Sequence, residues 1–87
     1  MIAKVTGWKK RWSHKNNRDY FHVFLKGDDT VNYMVYIDPV NRNYANWVPL
    51  LKKEQWIKGL IVLNGGNLVD ADSPIESTQD PGQPELF

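Results

Sequence analysis

The runs RDYFHVFLKG, Arg18 to Gly27, and VNYMVYI, Val31 to Ile37, constrain this chain most, because both alternate and only Asp28, Asp29 and Thr30 separate them. A strand sends successive side chains to opposite faces. The first run therefore presents Phe21, Val23 and Leu25 on one side and Tyr20, His22, Phe24 and Lys26 on the other. The second presents Val31, Tyr33, Val35 and Ile37 on one side and Asn32, Met34 and Tyr36 on the other. Two such strands joined by a turn form a meander. One face is a core; the other holds aromatic rings where solvent is expected.

The flanking segments extend this meander. AKVTGWKKRW combines β-branched and aromatic residues around Gly7, a residue that within a strand marks a bulge or bend, and it reads as a strongly bent first strand. SHKNNRD is a polar loop, and Asp38-Pro39 ends the third strand. In NRNYANWVPLLKKEQ the period changes: Tyr44, Trp47, Val48 and Leu51 fall at helical spacings, with Pro49 either splitting the helix or sitting in its first turn, so one or two turns are expected. WIKGLIVL reads as a fourth strand, NGGN as a tight turn and LVDADSPIE as a fifth strand fading at Pro74. STQDPGQPELF mixes proline, glycine and polar residues and reads as a flexible acidic tail. The expected division is a domain over 1–76 and a tail over 77–87.

Strand, strand, strand, short helix, strand, strand is the order of an all-β OB-fold, a five-stranded Greek-key barrel with its helix between the third and fourth strands. Such barrels bind ligands on the outward faces of the second and third strands, where Tyr20, His22, Phe24, Met34 and Tyr36 would lie together. With its bent first strand at Gly7, basic loop KKRWSHKNNR, aromatic second and third strands and acidic end PELF, the chain resembles a small single-stranded DNA-binding protein of the phage or plasmid type. The resemblance implies binding of single-stranded DNA in replication or recombination. It also implies docking of a replication or recombination partner on the terminal Leu86 and Phe87.

Charge and residue types agree with a polyanionic ligand. The net charge is only +1, but residues 1–67 hold all eleven basic residues against five acidic ones, a surplus of six, while residues 68–87 hold five acids and no base. Lys9, Lys10, Arg11, Lys15 and Arg18 crowd around Trp8, Trp12 and Tyr20 at one end of the meander. Aromatic rings stack on any base, and lysine or arginine neutralises phosphate. The expected site is therefore Trp8, Lys9, Lys10, Arg11, Trp12, Lys15, Arg18, Tyr20, His22, Phe24, Met34 and Tyr36. Phe21, Tyr33, Trp47 and Trp56 are assigned to the core. RNA is the alternative ligand, and a protein-interaction or homodimer surface is the alternative use of the same rings.

Other classes fit less well. The 87 residues, 41% of them hydrophobic, suffice for one small domain, and with no cysteine there is neither a disulfide nor a thiolate metal site. His14 and His22 have the spacing of ordinary polar side chains, and no clustered carboxylates, phosphate-binding glycine loop or nucleophile-base pair suggests catalysis or a cofactor. MIAKVTGWKK lacks a signal-peptide run, and apolar runs as short as Leu60 to Leu63 cannot span a bilayer, so a soluble cytoplasmic protein without a membrane partner is expected.

Overall fold

The computed structural model describes residues 1–82. It is mostly β: five antiparallel strands form one open sheet in the order β3-β2-β1-β4-β5, with a single short α-helix. The strands are β1 (Ala3–Ser13), β2 (Arg18–Gly27), β3 (Asn32–Ile37), β4 (Trp56–Lys58) and β5 (Glu76–Thr78). Helix α1 (Tyr44–Trp47) runs directly into a turn of 3-10 helix, Val48–Leu50, where Pro49 takes an early position and needs no amide donor. Among the described residues no helix is long and apolar enough to cross a membrane.

Alternation places the core as the sequence expects, except that Val31 precedes β3 and is exposed. Val23 and Leu25 of β2, Val35 and Ile37 of β3, and Ala3 and Val5 of β1 are buried on one face, joined by Trp47, Leu51, Ile57, Leu60, Val69 and Ile75. Phe21 and Tyr33 are partly buried against this cluster, and Phe21 stacks on Tyr44 with ring centroids 6.4 Å apart. Trp47 is fully buried and donates its indole N–H to the Ala71 carbonyl at 2.8 Å, which spares a buried donor from going unpaired. Trp56 departs from its core assignment. It is half-buried, and its neighbour Ile57 points inward instead.

Strand β1 bulges between Val5 and Gly7, as the glycine suggests. Val5 faces Leu25 across the ladder, but Gly7 faces Phe24, so Thr6 is the extra residue. The bulge reverses the phase of β1: odd-numbered residues point to the core before it and away from the core after it.

The later segments differ from expectation. WIKGLIVL is regular strand only over Trp56–Lys58, and LVDADSPIE is not a continuous strand. Instead Val62 bridges Val69 in antiparallel sense and Leu68 bridges Met34 in parallel sense, so the NGGN turn tucks against the free edge of β3. The chain then turns at Ser73, whose buried hydroxyl donates to the Asp70 carbonyl at 2.6 Å and accepts the Ile61 N–H at 2.9 Å. Gly59, at φ 84°, lets the Pro74 carbonyl approach where a Cβ would collide. This approach brings Glu76–Thr78 alongside β4, where Trp56 pairs with Thr78 and Lys58 with Glu76. Ser77 and Thr78 therefore belong to the sheet, and the expected tail boundary at 77 falls inside β5.

Candidate nucleic-acid interface

The strand register decides which residues share the face away from the core. Residues directly opposite in an antiparallel pair point to the same side. Gly7, Phe24 and Met34 form one row, Lys9, His22 and Tyr36 a second, and Arg11 and Tyr20 a third. Leu68 extends the first row beyond Met34, and the Leu63 N–H donates to the Leu68 carbonyl at 2.9 Å. The structure thus brings together seven of the expected residues: Lys9, Arg11, Tyr20, His22, Phe24, Met34 and Tyr36.

The rings of this face touch one another. His22 lies 4.4 Å from Phe24 and 4.6 Å from Tyr36 between centroids, nearly parallel to the latter at 24°. Tyr20 and Tyr36 are 6.1 Å apart and tilted, and the Tyr36 hydroxyl donates to Met34 Sδ at 3.6 Å. Tyr36 is 45% exposed, a large fraction for a ring on a sheet. Two grooves flank the His22 row. One, of about 430 Å³, is lined by Thr6, Phe24, Leu25, Asn32, Tyr33, Met34 and Asn67; the other, of about 310 Å³, by Ser13, Asn16, Tyr20, Tyr36 and Asp38.

The electrostatics follow from the same rows. Burial, then Arg11, then Lys9 hold the His22 pKa below its ordinary value of 6.5, and its Nε2 is buried without a hydrogen-bond partner. Lys9 and Arg11 make no ion pair with a described carboxylate, which leaves both free for an anion.

Four expected residues sit elsewhere. Trp8, Lys10 and Trp12 lie on the opposite side of the β1–β2 hairpin, opposite Val23, Phe21 and Asp19 respectively, because the bulge has shifted their phase. The Lys10 ammonium is 3.4 Å from Asp19, and the two tryptophans are 40% and 50% exposed on that reverse side. Lys15 is exposed in the turn of residues 14–17. Arg18 borders the face, but its Nε donates to Asp38 Oδ1 at 2.6 Å, so its charge is already matched and the Asp38 carboxyl is held below its ordinary range. Leu86 and Phe87 lie outside the described residues.

Asn67 and Leu68 join the face without having been singled out from the sequence, and Gly7 and Asn32 join it although neither was among the expected site residues. The NGGN turn was the available signal, since a turn next to a sheet edge can bring its flanks onto the neighbouring strand. Among the described residues no three histidine, aspartate or glutamate side chains converge as metal ligands. The chain matches no protein-family model, no curated protein and no solved structure.

Proposed function

We propose that this chain binds single-stranded DNA, with little sequence preference, on the outward face of β1, β2 and β3, in the service of replication or recombination. The observation that carries the reading is the register: four rings in a chain of contacts, Tyr20 to Tyr36 to His22 to Phe24, and two cations unpaired among the described residues occupy three consecutive rows of one face. Rings supply platforms for unstacked bases, and Lys9 and Arg11 supply the phosphate partners. A fully paired duplex hides its base faces, so such a surface selects single strands.

An OB-type arrangement is the proposed architecture. The parallel bridge from Met34 to Leu68 and the antiparallel bridge from Val62 to Val69 support it, since together they link the edge of β3 to the segment that continues β4. Hydrogen bonds from the Met34 N–H to Asn67 and from the Val69 N–H to Met34, both 2.8 Å, reinforce that link. In the proposed barrel these bridges complete the circuit that the regular strands leave open.

Anisotropy of end-labelled oligo-dT, oligo-U and duplex DNA of equal length, titrated at two salt concentrations, tests the reading. Tightest binding to oligo-dT, weakening with salt, is the expected result. Equal or stronger binding to oligo-U makes RNA the ligand. Absence of binding to all three overturns the proposal.

A further inference from the structure

The first row of the face contains a gap. Gly7 stands directly opposite Phe24, and a Cβ placed on Gly7 would meet nothing within 4 Å. Its backbone does not adopt the left-handed conformation, so no turn geometry demands glycine there. Glycine in a strand interior weakens the strand and often marks close approach by something else. On the other side of Phe24, Met34 and the exposed Asn32 and Asn67 border the larger groove. Neither asparagine side chain hydrogen-bonds to another described residue.

We propose that this gap is a seat for one unstacked nucleobase, which lies on Phe24, passes over Gly7 and is flanked by Met34. The inference rests on the single-strand binding proposed for this face and names where a base sits. Charge favours a nucleic acid as occupant: Lys9 lies one row away on β1 and Lys26 two residues along β2, neither paired with a described carboxylate, so a cation stands on each side of the seat. Asn32 and Asn67 meet the base edge. A carboxamide offers both a donor and an acceptor, so every base finds a partner there and preference stays low.

The test is Gly7→Val, measured against labelled oligo-dT and against an abasic deoxyribose-phosphate oligomer of the same length. Valine suits a strand, so Tm should hold or rise, while its branched side chain fills the seat. Affinity for oligo-dT should fall at least about tenfold, the scale of one base stacked on a ring, and affinity for the abasic oligomer should not change. Gly7→Ala, with the smallest added group, should fold as the parent does and weaken binding less. A folded Gly7→Val that binds oligo-dT like the parent, or one that weakens toward both ligands equally, overturns the seat. If Phe24→Ala still weakens oligo-dT in that case, the face remains the binding surface and only the seat is refuted; if the parent itself does not bind oligo-dT, the functional reading falls with it.

Discussion

On strand β3, Tyr36 and Ile37 are adjacent residues with opposite duties, and truncating each should separate binding from folding. Tyr36→Ala and Phe24→Ala should each weaken single-strand binding by about 1–3 kcal/mol with little change in stability, since each removes a ring from the exposed face. Ile37→Ala empties a fully buried position and should cost about 2–5 kcal/mol of stability in urea titrations while sparing affinity per folded molecule. His22 adds a pH dependence. Its folded pKa lies below the ordinary 6.5, so in that interval the unfolded chain binds a proton that the folded chain refuses. Stability is therefore full above 6.5 and declines as pH falls through the folded value. Binding should run the other way, because bound phosphates favour the protonated ring and affinity rises over the same interval. Tm and anisotropy measured across this range should show opposite slopes, and His22→Phe should flatten both.

At the scale of elements, the two sides of the β1–β2 hairpin predict different salt behaviour. Lys9→Gln with Arg11→Gln should lower the slope of log affinity against log salt by about 1.4, roughly 0.7 for each phosphate left without its cation. Lys10→Gln, on the reverse side, should leave the slope unaltered. A drop with Lys10→Gln would mean that the strand wraps around the hairpin to Trp8 and Trp12. Strand β5 makes a second prediction. It pairs along all three residues of β4, and Gln55 Nε2 donates to Ser77 Oγ at 2.9 Å. A chain ending at Ile75 should be destabilised by about 1–3 kcal/mol in urea titrations, because the ladder bonds disappear and backbone on β4 is newly uncovered.

For the molecule as a whole, legibility followed the distance over which each feature is determined. The β2–β3 meander and its two faces were readable because period-two alternation is local and runs for many residues in each strand. The helix was readable from Trp47 and Leu51, and Gly7 announced the bulge. The direction of Trp8, Lys10 and Trp12 beyond that bulge was not readable, since it depends on which residue of β1 is left out of the pairing. Strand β5 was equally hidden: three residues carry no period, and its place depends on approaches such as that of Pro74 to Gly59 that are remote in sequence. The bulge also has a bearing on how this chain tolerates change in length. Val5 already points inward and Gly7 outward, so removing Thr6 would leave a strand of ordinary alternation with every later residue still opposite its present partner. The half of β1 that builds the core and the half that sets Lys9 and Arg11 on the opposite face are thus fixed independently, each by its own neighbours on β2, with one residue of slack between them. A Thr6 deletion should fold with its circular dichroism and salt slope intact, whereas deleting Lys10, where no slack exists, should exchange the faces of residues on one side of the cut and abolish the row of Arg11 and Tyr20.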